Sequence, residues 1–395
     1  MKLHYYHIVI GWMMPWCKYL FIFLFILLYV HCLGAEVIEL SGEFESEIFI
    51  NDQYEEPQAG TINSLTLQAD AQVNEHTSFH SRLIFSHFSG YKIGEEDSDL
   101  VIDRAHLNLY LPKFDLRIGK QRLAWGSGFA FNPTDLFNPP DYTDPRGEPT
   151  GVSAIRLTVP MGTVSEIMLV GAQQTTMKYL DQASDSSLTT AKAAQDTEIA
   201  LRGKTNLGGF DFSLIAIDLG EDEAEKLGGS LSGELFKLGV WCEGAYTFPE
   251  QILVDRFEDD EYWQLVVGAD FTFAKGFYLL GEYYRNGQGK WSLDDYQWSR
   301  QQLGQLANLG QDYFFGSCRY IHKELITTSL SGLLNVNDQS FFFHPQIAYD
   351  VYSDTMIASG MHGFCGQEKS EFYGMKNSRN YRMFNEYYLK FQVNF

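Results

Sequence analysis

The sequence predicts an all-β fold: a transmembrane antiparallel up-and-down β-barrel of about 18 strands, with 16 as the alternative. Three observations carry this. Beyond one N-terminal apolar run, no window is apolar enough to span a bilayer as a helix. Many windows of about ten residues instead alternate polar and apolar with period two, as a strand between lipid and lumen must. The chain also ends in such a window, NEYYLKFQVNF (385–395), with phenylalanine last.

Taken in order, the first element lies outside the fold. Residues 19–33, YLFIFLFILLYVHCL, follow Lys2 and Lys18 and precede Gly34 and Ala35. A positive start, an apolar middle and small residues at the end make a signal peptide over 1–35, cleaved after Gly34 or Ala35. The barrel is expected over 36–395. No linker or low-complexity tract interrupts it. With 23 Tyr, 30 Phe and 35 Gly against 11 Pro, the composition is sheet-rich.

In EVIELSGEFESEIFI (36–50), Glu39, Glu43, Glu45 and Glu47 share one face, and Leu40, Phe44, Ile48 and Ile50 the other. The glutamates must face the lumen. In DLVIDRAHLNLYL (99–111), Arg104, His106 and Asn108 alternate with Ala105, Leu107 and Leu109. Short connections are expected at 72–76, 112–113, 160–162, 206–209, 237, 274–276, 321–323 and 353–354. Long ones are expected at 51–60, 89–98, 124–150, 173–195, 220–226, 249–260, 287–310, 336–340 and 365–384. Reading 233–248 as a single strand gives an odd count, which would put the two chain ends on opposite sides of the membrane. Splitting it at Lys237 restores alternation and places both ends on the periplasmic side. A barrel of this size encloses water.

The stretch 114–157 departs from the alternation. Pro133, Pro139, Pro140, Pro145 and Pro149 stiffen it, and Phe129, Phe131, Leu136, Phe137 and Tyr142 would be poorly placed in open solvent. The 124–150 loop is therefore expected to fold toward the lumen. Candidates for the constriction or its loop are Arg117, Gln121, Arg122, Trp125, Asn132, Asp135 and Arg146. Strand phase gives the lumen-lining candidates Glu43, Glu45, Arg82, Arg104, His106, Arg156, Arg202, Glu282 and Lys390. Opposed acid and base across a pore orient polar solutes, and rings of charge set ion preference. A bulge would reverse the phase within a strand.

The net charge of −22 lacks the basic face that nucleic acid requires. Much of the acid lies in runs such as GEEDSD (94–99), GEDEAE (220–225) and FEDDEY (257–262), which read as solvated loops or as sites for cations that bridge lipopolysaccharide. No nucleophile elbow, HExxH, P-loop or dinucleotide motif is present. His80 and His87 have opposite strand parity, so a shared metal is not expected, and neither is a cofactor or an enzymatic activity. Cys242, Cys318 and Cys365 form no disulfide pattern.

Two resemblances follow from these residues. The closing strand, with Tyr387, Leu389, Phe391, Val393 and Phe395 on one face, resembles the signal by which outer-membrane proteins are handed to their insertion machinery. The run RIGKQRLAWG (117–126), then FNPTDLFNP (131–139), a DPR step (144–146) and GVSAIRL (151–157), resembles outer-membrane porin-like barrels with an R-x-G-[KR]-Q, W-G, NP-x-D motif. Anion-selective and polysaccharide-exporting barrels are distant members of that likeness. It implies a Gram-negative outer-membrane channel in contact with lipid and lipopolysaccharide, passing small hydrophilic solutes by passive diffusion. The excess of acid argues against anion selectivity. An export or assembly barrel for an extracellular polymer, or a structural outer-membrane protein, are the alternatives, and a homo-oligomer is one state open to such a barrel.

Overall fold

The computed structural model describes residues 37–51, 57–90, 96–135, 137, 150–180, 190–218, 225–248, 261–302, 306–373 and 385–395. The signal-peptide expectation over 1–35 lies outside them. Eighteen strands form one antiparallel sheet in which each strand bonds its chain neighbours and the first closes on the last. They are β1 (Val37–Asn51), β2 (Gln58–Asn74), β3 (Thr77–Ser89), β4 (Glu96–Tyr110), β5 (Asp115–Gln121), β6 (Val152–Pro160), β7 (Ser165–Leu180), β8 (Thr190–Leu207) and β9 (Phe210–Asp218). There follow β10 (Glu225–Leu235), β11 (Leu238–Phe248), β12 (Tyr262–Thr272), β13 (Phe277–Asn286), β14 (Asp312–His322), β15 (Ile326–Asn335), β16 (Phe341–Tyr352), β17 (Thr355–Cys365) and β18 (Glu386–Asn394). Among the described residues no helix is long and apolar enough to cross a membrane.

Closure is polar inside and apolar outside. Glu47 pairs in register with Lys390, and Ile48 with Leu389. On the inner face Lys390 Nζ donates to Glu45 (2.9 Å) and Gln392 Nε2 to Glu43 (2.8 Å). Beyond β18, Gly42 and Phe395 exchange both backbone hydrogen bonds (2.8 and 2.9 Å), so the seam runs to the last residue, while Val37–Ser41 of β1 extend past it, paired with β2. The outer face presents Leu214 at 75 % exposure and Ile48, Ile155 and Leu389 at more than half, while the inward Glu47, Glu243 and Glu282 are buried. Such a wall is stable only with hydrocarbon outside it.

The split at Lys237 is observed as a two-residue turn in which Phe236 and Lys237 both adopt positive φ (50° and 70°), the backbone twist that tight hairpins require. One expected loop is corrected. The span 173–195 is largely strand, because the ladder runs without a break from Gln173↔Thr197 to Leu180↔Thr190. Its polar sequence reads as a loop, yet an antiparallel ladder is made by backbone groups and needs no apolar face. A bulge in β4 lets Asp103 join Arg104 on the inner face: Arg82 pairs with Arg104, but Leu83 already pairs with Ile102.

Candidate functional site

The connection between β5 and β6 does not stay at its own wall. Its first residues, Leu123 and Trp125, pack on Met168, Val170, Ile215 and Ile217, with Phe137 edge-on to Trp125 (5.4 Å, 89°). Its tip then crosses to β11 and β13. Glu282 accepts from the backbone N–H of Phe129 (2.7 Å), Ala130 and Phe131 (2.9 Å each) and from Trp241 Nε1 (2.7 Å). Glu243 accepts from the N–H of Ser127 (2.6 Å), Gly128 (3.2 Å) and Thr134 (2.8 Å) and from the Thr134 hydroxyl (2.8 Å). Two buried carboxylates thus receive a loop's otherwise orphaned amides, which is what makes burying that loop tolerable.

Gly126 is required for this approach: it holds φ +94°, and a Cβ there would lie 2.6 Å from a Glu243 oxygen. Phe131 completes the dock by stacking on Tyr284 (4.2 Å, 18°) within a cluster containing Tyr313, Phe315, Leu333, Phe342 and Phe372. The lumen is therefore partly filled, from the β12–β17 side, by the loop tip and aromatics.

The β3–β8 wall has the opposite character. Arg82 and Arg104 flank Asp103 (2.9 and 3.2 Å), whose other oxygen accepts the Gly151 N–H (3.2 Å) at the loop's far end. His80 and His106 are paired in register with rings 5.0 Å apart, and Asp70 binds His80 (2.6 Å). Arg117 donates to Asn108 (2.6 Å) and stands directly across from Arg156, like charge against like. Arg202 follows two strands on, beside Ser213 (3.5 Å), and Lys204 pairs with Asp211 (2.9 Å). Among the described residues Arg117, Arg156 and Arg202 have no carboxylate within ion-pair distance. The result is a cationic strip inside a net acidic chain.

The lumen-lining candidates all fall on the inner face, but they do different things. Glu43 and Glu45 close the seam, Arg82 and Arg104 share Asp103, and Glu282 clamps the loop. Of the loop candidates, Arg117 and Gln121 belong to β5 instead. Gln121 is fully buried and donates to the Ala154 carbonyl (3.0 Å), a wall contact. Arg122 is exposed, because the chain turns inward only at Leu123. The Asn132 carbonyl accepts from the Asp135 N–H (3.0 Å) in the turn that presents Thr134 to Glu243. Arg146 lies outside the described residues. Sequence reasoning missed Glu243 and Asp103. Alternation in WCEGAYTF would have put Glu243 inside, but nothing local marks a carboxylate whose partners are backbone amides.

At the outer rim a second buried network joins three connections. Glu371 accepts from Tyr313 Oη (2.6 Å), Asn335 Nδ2 (2.7 Å), the Leu309 N–H (2.9 Å) and Gln301 Nε2 (3.3 Å). Asp338 accepts from the Glu371 N–H (2.7 Å) and Tyr296 Oη (3.1 Å). Burial pushes the Glu371 carboxyl up from 4.5 to about 7, with the Asp338 charge adding to it, despite the donors that favour its ionised form. Burial likewise raises the Tyr296 phenol above its usual range.

No protein-family model matches the chain, and no curated protein matches its sequence. Solved structures do match. OccAB1 of Acinetobacter baumannii superposes with a TM-score of 0.57 at 13 % identity, over 92 % of this chain and 97 % of that one. OpdQ of Pseudomonas aeruginosa gives 0.57 at 11 % identity over 91 % and 98 %, and OccK11 (OpdR) of the same organism 0.56 at 10 % over 91 % and 96 %. The likeness shows the fold. It spans nearly the whole of both partners.

Proposed function

We propose that the protein is a porin-like channel of the Gram-negative outer membrane through which small hydrophilic solutes diffuse passively, with anions favoured. The observation that carries this is a constricting loop tied to one wall by Glu243 and Glu282, opposite a strip of guanidinium groups at Arg117, Arg156 and Arg202 that have no carboxylate partner among the described residues. Rings and strips of one charge set ion preference at such constrictions. The net charge argued the other way, but the inner wall, not the total, is what a solute meets. The short-turn rim with both chain ends is assigned to the periplasm, the outward row Tyr387, Leu389, Phe391, Val393 and Phe395 to the insertion machinery, and the apolar outer face to lipid and lipopolysaccharide. Residues 1–35 are assigned to a cleaved signal peptide, which N-terminal sequencing of the mature protein would check.

Single-channel conductance in planar bilayers under a salt gradient tests the reading. Wild-type protein should conduct with an anion-leaning reversal potential. Replacing residues 127–148 with a short Gly/Ser loop should raise conductance, and the double variant Arg117→Ala/Arg156→Ala should shift the reversal potential toward cations. Silence in every form would move the assignment to an export, assembly or structural barrel.

A further inference from the structure

Bases are scarce on the outer face. Among the described strand side chains, alternation turns two outward, Lys120 on β5 and Arg285 on β13, and Arg285 is held by Asp312 (2.6 Å). Lys120, half-buried, has no such partner. Arg122 continues the β5 alternation between the buried Gln121 and Leu123, so it is exposed on the same side, about 7 Å further along the strand direction. Neither side chain makes an ion pair or hydrogen bond with the described residues. Ser153, directly across from Lys120, is exposed beside it.

Toward the short-turn rim the surface next to this polar row is apolar. Ile118 pairs with Ile155, and both are exposed (41 % and 55 %). Ile155 pairs in turn with Gly171, and Gly171 with Ile199, itself 54 % exposed. No atom lies within 4 Å of where a Gly171 side chain would begin, so a notch one residue wide opens between Ile155 and Ile199. The next sector has the opposite charge: Asp218 ends β9 beside Ile199 and faces Glu225, which begins β10, and both are exposed.

We propose that Lys120 and Arg122, with the Ser153 hydroxyl, bind a phosphate of an outer-leaflet glycolipid, the lipid A portion of lipopolysaccharide, and that one of its acyl chains lies in the notch at Gly171. This rests on the outer-membrane reading above, which puts the long-connection end of β5 at the outer leaflet. Two cations two residues apart can straddle one phosphate, and charge-assisted hydrogen bonds from both strengthen its hold. Asp218 and Glu225 repel a phosphate from the neighbouring sector. A free anion has no use for the notch, and an unphosphorylated lipid none for the bases. A phosphorylated lipid uses both.

Native mass spectrometry of the refolded full barrel released from detergent tests this, with bisphosphorylated lipid A, the same lipid dephosphorylated, and inorganic phosphate as competitor. Wild type should hold the phosphorylated lipid ~30-fold more tightly than Lys120→Ala/Arg122→Ala, and the two should hold the dephosphorylated lipid alike. Gly171→Leu, which fills the notch and leaves both bases in place, should weaken binding of either lipid. Equal retention of the phosphorylated lipid by wild type and the double variant, unchanged binding in Gly171→Leu, or displacement by millimolar inorganic phosphate overturns the site. Heat-modifiable migration shows that each variant has formed its barrel before it is compared. Wild-type conductance is read separately: a conducting barrel without the lipid preference keeps the channel and loses the site, and a silent barrel with it does the reverse.

Discussion

Glu282 illustrates why a buried charge can be structural rather than selective. Its oxygens accept four N–H groups, leaving it no role as an open pore charge. Glutamine is no substitute, since its amide nitrogen would point at one of those donors. Glu282→Gln should loosen the loop and raise single-channel conductance, and Glu282→Ala should destabilise docking by about 3–5 kcal/mol, read as a lowered urea midpoint for exposure of the loop. That Glu282 faces inward was legible from the alternation in FYLLGEYYRN. That it clamps a loop more than 150 residues away in sequence was not, because backbone N–H donors have no residue signature. The same limit applies to Arg122, which shares a motif with Arg117 but lies where the chain has left the sheet and not yet turned inward.

At the scale of elements, parity carried more information than propensity. Neither Phe236 nor Lys237 is a turn former, yet the need to return the chain to one side placed a hairpin there, and both residues accept a left-handed backbone for it. That conformation favours Asn-Gly. The double substitution Phe236→Asn/Lys237→Gly should therefore stabilise the barrel by about 0.5–1 kcal/mol, seen as a higher denaturant midpoint. The opposite error, reading 173–195 as loop, arose because amphipathic alternation reports the bilayer and not the strand. Toward their 180 and 190 ends β7 and β8 remain paired residue by residue, from Gln173↔Thr197 to Leu180↔Thr190. The inward fold of the described part of the 124–150 connection, residues 124–135 and 137, was legible from the aromatics Phe129, Phe131 and Phe137, while Leu136, Pro139, Pro140, Tyr142, Pro145 and Pro149 lie outside the described residues. Its partners on the far wall, Glu243 and Tyr284, became visible only in three dimensions.

For the whole molecule, the two faces of one wall impose opposite rules. Leu214, midway along β9 and 75 % exposed, lies on the apolar outer face, which the channel reading assigns to lipid. Leu214→Arg should cost ~2–4 kcal/mol in a vesicle-based unfolding equilibrium if it sits at the bilayer midplane, whereas Ser213→Arg on the inner face should instead alter conductance.

The seam where Gly42 and Phe395 exchange backbone hydrogen bonds has a topological meaning as well. With β1 and β18 paired to the last residue and each strand bonded to its chain neighbours, the barrel is a necklace whose clasp could be moved. A circular permutant joined across that seam and opened within 336–340 would keep the same ring of strands while burying the terminal aromatic in mid-chain. It should refold in detergent to the same heat-modifiable species yet fail to reach the membrane in cells, separating what the chain needs in order to fold from what it needs in order to be delivered.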